Sequence, residues 1–191
     1  MLKDYSEDIL VQGNAAEILE SLGWESYIGY DNDTGETLEK FSKDKLSIGL
    51  QVDNRHIFLG RENQEELILK PYLIQALKDN NDWIKDEETA LEVIKVLETY
   101  PLVSDINMIV EQNKKFYELL RDGVSIDTRD ENGEMVSKTA KIFNFEEPGK
   151  NYFVAVREFW MTSRIDKENM RADLIGFVNG IPLLFTEFKR V

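Results

Sequence analysis

The sequence predicts an α+β fold, with helices first and a mostly antiparallel sheet after them. Three observations predict it. Apolar residues recur at helical spacing within residues 6–22 and 71–122, and beyond Gly123 the period shortens to two. Asn179-Gly180, set between two apolar runs, is a strong short hairpin signal. No repeat or low-complexity linker interrupts the 191 residues, so the chain reads as one domain, 1–191, helical over 63–122 and sheet over 123–191.

Each element has a local reason. Ser6 is an N-cap candidate, Glu7 and Asp8 suit the positive end of a helix, and Ile9, Leu10, Ala15, Ile18, Leu19 and Leu22 form its apolar stripe. Gly23 ends that helix. Trp24 to Tyr30 reads as a strand, 31–35 as a turn, and Leu46 to Leu59 alternates like a strand. Pro71 opens a helix that buries Tyr72, Leu73, Ala76 and Leu77. Residues 86–100 form another helix on Ala90, Val93, Ile94 and Leu97, and 105–122 a third, closed by Gly123. Strands are expected at 124–129, 134–145 and 152–159, with a turn at 130–133. After a charged connection over 166–171, strands at 173–178 and 183–189 flank the Asn179-Gly180 turn.

Composition excludes several classes of function. There is no cysteine and a single histidine, His56, so disulfides, thiolate metal sites and paired-histidine sites are ruled out. Neither a signal peptide nor an apolar run near the roughly 20 residues of a membrane helix is visible, so no membrane partner and a cytoplasmic location are expected. The net charge of −14 argues against DNA binding through bulk charge. The balance is uneven, because residues 157–191 hold six basic and five acidic side chains. Phosphate contact is therefore expected near the C-terminus or with help from a partner.

The informative constellation is Asp173 followed by Glu187-Phe188-Lys189. Two carboxylates on paired strands can share a hard divalent cation through oxygen ligands. Lys189, two residues after Glu187, points to the same face of its strand and can orient a water or neutralise charge on a phosphate. That is the minimum set for metal-dependent phosphodiester hydrolysis. A plain two-residue turn pairs Val178 with Ile181 and hence Asp173 with Thr186, which puts Glu187 on the opposite face. A shared cation therefore requires a three-residue loop, or a bulge using Gly180 with positive φ. On spacing alone, a solvated strand end remains the better reading of these residues.

The longer run Arg171-Ala-Asp-Leu-Ile-Gly-Phe-Val-Asn-Gly-Ile-Pro-Leu-Leu-Phe-Thr-Glu-Phe-Lys189 resembles the nuclease signature of the R (restriction and motor) subunit of type I restriction enzymes. That family has a Pro-Asp…Glu-x-Lys motif whose strands are joined by Val-Asn-Gly-hydrophobic-Pro-Leu. Residues 113–124, 141–148 and 152–159 resemble the family's flanking segments, and 6–24 its opening helix. The resemblance implies a restriction-endonuclease-like core, cut short after the Glu-x-Lys strand. It makes Asp173 and Glu187 ligands of Mg²⁺, the Phe188 carbonyl a third ligand, Lys189 the catalytic lysine, and Glu7 an auxiliary helix acid. A first-turn glutamate favoured by the helix dipole is an equal reading of Glu7. The implied activity is that of a type I site-specific deoxyribonuclease cutting double-stranded DNA. Methyltransferase and specificity subunits choose the sequence, and motor domains outside this chain use ATP. Two features depart from the pattern. Ala172 replaces the usual proline, and the chain stops at Val191 before the family's Gln-x-x-x-Tyr helix, as a fragment of a longer protein would. The isolated fragment is expected to be weakly active or inactive. There is no phosphate loop, since Gly149-Lys150 is followed by Asn151.

Other features read more plainly. Asp31-Asn-Asp-Thr-Gly35 lacks the glycine and glutamate positions of a calcium loop and is a turn. Trp24, Trp83 and Trp160 sit among apolar residues and are expected in core or subunit contacts rather than stacked on bases. Arg164, Lys167 and Arg171 are phosphate contacts or plain surface charge. Two alternatives stay open: a stand-alone metal-dependent nuclease, and an acidic docking module in which the Asp…Glu-x-Lys pattern is inert.

Overall fold

The computed structural model describes residues 11–29, 59–99, 106–130 and 132–188. Glu7, the 31–35 turn, His56 and Lys189 lie outside the described residues. The chain divides into two compact units, Met1–Tyr72 with Tyr152–Val191, and Leu73–Asn151. The α+β class holds, with the strands divided between two sheets.

The first unit contains helix α1 (Gly13–Ser21) and a four-stranded sheet. Its strands are β1 (Glu25–Ile28), β4 (Phe153–Thr162), β5 (Asn169–Val178) and β6 (Ile181–Thr186), in the order β1-β4-β5-β6. β1 is parallel to β4, and the other pairs are antiparallel. Gly23, with φ +91°, ends α1. There the Gly23 amide donates to Glu20 and the Trp24 amide to Leu19, satisfying carbonyls the helix would otherwise leave open. The helix packs on β1 and β4 through a face of Gln12, Ala16 and Leu19. Ile18 and Leu22, expected inward, are 62% and 70% exposed, because the side of the helix turned to the sheet is the Gln12, Ala16 and Leu19 face. The opposite face of the sheet carries the core, built from Tyr27, Val154, Val156, Phe159, Met161, Ala172, Ile175 and Phe177, with Leu59, Leu69 and Tyr72 over them.

Two polar devices fix that core. The Tyr27 and Tyr72 hydroxyls both donate to Glu25 Oε2, at 3.1 and 3.2 Å. Burial and the neighbouring Tyr27 and Glu25 raise the Tyr72 phenol well above its ordinary range. Arg61, only 1% exposed, donates to the carbonyls of Glu66, Trp160 and Gln64 and lies 4.3 Å from the Phe159 ring centroid. Burial lowers its pKa to about 10, partly countered by Glu66.

The second unit holds α3 (Glu87–Glu98), α4 (Ile106–Asp122) and the hairpin of β2 (Val124–Arg129) and β3 (Met135–Ala140); α2 (Lys70–Asn80) begins in the first unit and runs into it. Asp86 caps α3 by accepting from the Thr89 amide at 2.7 Å, so the acidic run there is a solvated helix start. The β3 ladder stops at Ala140 rather than Phe145. The buried Asn81 side chain replaces it, accepting from the Lys141 amide and donating to the Lys141 and Leu77 carbonyls.

Candidate active site

The Asn179-Gly180 turn is a two-residue turn, with φ +50° and +79°. Both residues are left-handed, as the tight turn between twisted strands requires. Asn179 holds the conformation by accepting from the Tyr152 amide through Oδ1 at 2.7 Å and donating its own amide to the Tyr152 carbonyl at 2.8 Å. Gly180 therefore serves the turn, and the bulge expected at Gly180 occurs elsewhere. Val178 pairs with Ile181 and Phe177 with Pro182, but Gly176 then pairs with Leu184, so Leu183 is the extra residue. Gly176 is small because there is no room for more. A Cβ there would meet a Trp24 ring carbon at 2.9 Å and Leu184 Cβ at 3.0 Å.

The bulge moves the register by the one step that matters. Beyond it Ile175 pairs with Phe185 and Leu174 with Thr186, so one further step sets Asp173 across from Glu187. The Asp173 carboxylate reaches the next strand directly, accepting from the Phe188 amide at 2.7 Å. Asp173 and Phe188 are half-buried and Glu187 is exposed. The two carboxylates thus lie at neighbouring positions of β5 and the end of β6, and with the Phe188 carbonyl they offer hard oxygen donors of the kind a divalent cation takes. Among the described residues, no three His, Cys, Asp or Glu side chains converge as a metal cluster.

On its other side, Asp173 faces a residue the sequence reading passed over. Arg157 pairs with Leu174 and Phe159 with Ala172, which leaves Glu158 across from Asp173. Glu158 has φ +53° and is 1% exposed. Its Oε1 accepts from Gln12 Nε2 at 2.7 Å, and its Oε2 lies 2.7 Å from Arg171 Nη1. Gln12 is itself buried, in a π-type turn at the start of α1. The signal was in the strand: inward residues run Val154, Val156 and then Phe159, Met161, a slip of phase around Glu158.

The remaining charges sort by geometry. Arg164 donates to the Glu65 carbonyl and Lys167 pairs with the Glu65 carboxylate at 2.7 Å, so both are tied to the 61–66 loop. Arg171 alone of the three stands two residues from Asp173 on the same strand, against Glu158 and over Trp160. Trp24 packs on Phe153, with ring centroids 5.2 Å apart, as expected of a core contact.

Comparison with known proteins bears on the family of the chain. The family model described as type I restriction enzyme R protein N terminus matches residues 4–191. The chain belongs to that family. Within the R-protein N-terminal family it is 37% identical over 130 residues to the provisionally assigned MjaIXP endonuclease subunit of a type I restriction enzyme from Methanocaldococcus jannaschii, covering 68% of this chain and 12% of the relative. It is 34% identical over 171 residues to the type I restriction enzyme HindI endonuclease subunit of Haemophilus influenzae, covering 90% of this chain and 14% of that protein. No solved structure matches significantly. This R-protein N-terminal chain therefore spans about an eighth to a seventh of the length of its curated relatives. Among the described residues, no helix is long and apolar enough to cross a membrane.

Proposed function

We propose that this chain is the metal-dependent endonuclease domain of a type I restriction enzyme R subunit, hydrolysing phosphodiester bonds of double-stranded DNA. The observation that carries the reading is the register of β5 and β6, which brings Asp173 across from Glu187 only because Leu183 is bulged out. The donor set fits Mg²⁺, which Asp173, Glu187 and the Phe188 carbonyl would hold. When bound, Mg²⁺ supplies Lewis-acid stabilisation of the charge that builds up on the phosphate. Asp173 fixes the strand end by holding the Phe188 amide. Lys189, assigned by family resemblance, neutralises phosphate charge and orients the attacking water.

The wider assignment follows the family. Motor domains elsewhere in the protein use ATP, and methyltransferase and specificity subunits select the DNA. The net charge of −14 accords with a domain whose partners provide most of the grip on DNA. The test is a calorimetric Mn²⁺ titration of the chain and of Asp173→Ala, with melting curves for both. Binding by wild type and its loss in a folded variant is the expected result. A folded wild type that binds no Mn²⁺ rejects the metal site and favours the acidic docking module.

A further inference from the structure

Glu158 combines two costly features beside the candidate site. A left-handed backbone at a non-glycine residue is strained, because the Cβ crowds the following carbonyl oxygen. A buried carboxylate loses its hydration, and replacing such an ion pair with apolar residues is often neutral or stabilising. Stability therefore gives no reason to place this residue, with φ +53° and 1% exposure, opposite Asp173. Strain of this kind concentrates where a side chain has to be aimed.

What Glu158 aims is visible. Gln12 Nε2 pins one carboxylate oxygen at 2.7 Å, so the other is directed at Arg171 Nη1, also at 2.7 Å. Arg171 additionally lies over the Trp160 ring, 5.9 Å from its centroid. Its side chain stays 37% exposed while that of Glu158 is 2% exposed, so the guanidinium lies at the surface end of the relay. Because strand side chains alternate, Arg171 and Asp173 emerge on one face. A phosphodiester approaching Asp173 and Glu187 meets two carboxylates, and a fixed guanidinium beside them counters that repulsion.

We propose that Arg171 contacts the DNA phosphate at this site, and that Glu158 and Gln12 are positioning residues that hold its guanidinium beside Asp173. The inference rests on the nuclease reading. It makes a prediction opposite in sign to simple electrostatics. Glu158→Gln removes a negative charge and would tighten DNA binding if charge alone mattered, whereas loss of positioning weakens it.

The experiment measures binding of a fluorescein-labelled 16-base-pair duplex to the full chain in Ca²⁺, across a salt series, with melting curves and Mn²⁺ calorimetry on every variant. Arg171→Ala is expected to weaken binding about tenfold and to lower the salt slope by about one. Glu158→Gln should also weaken binding, and adding it to Arg171→Ala should cost nothing further. Arg171→Lys, which keeps the charge at a partly exposed position, should retain the slope but bind less tightly than wild type. Mn²⁺ affinity should be unchanged in all of them. A folded Arg171→Ala with wild-type affinity and slope overturns the proposal, as does tighter binding by Glu158→Gln or loss of Mn²⁺ binding in that variant. A wild type that binds neither Mn²⁺ nor the duplex instead defeats the nuclease reading itself.

Discussion

The Phe188 backbone amide donates a 2.7 Å hydrogen bond to the Asp173 carboxylate, tying the end of β6 to the middle of β5. One side chain therefore has two separable duties, holding the strand end and offering oxygen to a cation. Asp173→Asn keeps a neutral acceptor for the amide but loses the charge. It should keep the Phe188 amide protected from hydrogen exchange while lowering Mn²⁺ affinity more than about tenfold. Asp173→Ala should lose both. Equal exchange rates in the two variants would show that the tether does not depend on this side chain.

Gly176 tests the bulge. A methyl group there meets Leu184 Cβ at 3.0 Å and the Trp24 ring at 2.9 Å, so β6 or the Trp24 side chain has to move. Gly176→Ala is predicted to destabilise the chain by about 1–3 kcal/mol, measured by urea unfolding. An unchanged midpoint would mean that the contact yields freely.

Asn179 separates conformation from hydrogen bonding. Asn179→Gly keeps the left-handed turn but leaves the Tyr152 amide without its acceptor, at a cost of about 1–3 kcal/mol. Asn179→Ala adds about 1 kcal/mol more for the left-handed backbone. The expected order of melting temperature is Asn, then Gly, then Ala. A reversal of the two variants would refute this account of the turn.

Glu66 gives the first unit an acid limit. Burial pushes its carboxyl up, but the Glu62 amide, Lys70 and Arg61 together outweigh burial and hold it below its ordinary 4.5. A pKa depressed on folding contributes stability that is present above the unfolded value and is lost as pH falls through the folded one. Melting temperature should therefore drop below about pH 4.5 more steeply in wild type than in Glu66→Gln. Parallel curves would count against it.

Much of the site was legible because its determinants are local. Asn179-Gly180 forms the turn by its own conformational preference, and Asp173 and Glu187 can be placed by counting along strands. The count also showed that one extra residue was needed. It could not show which residue, because Leu183 is displaced by the match between Gly176, Leu184 and the Trp24 ring, which belong to three separate segments. Glu158 was missed for a related reason. It reads as a surface charge next to Arg157, and only the approach of Gln12, 146 residues earlier, makes it a buried anchor.

The sequence by itself determined the α+β class, the helix ends at Gly23 and Gly123, the hairpin turn and the family resemblance. All of these follow from spacing and backbone preference within short windows. Tertiary structure alone decided which face of α1 is buried, where the β6 bulge falls, and which carboxylate Arg171 pairs with. Those outcomes depend on volumes and charges that meet only after distant segments pack, and no local preference encodes them.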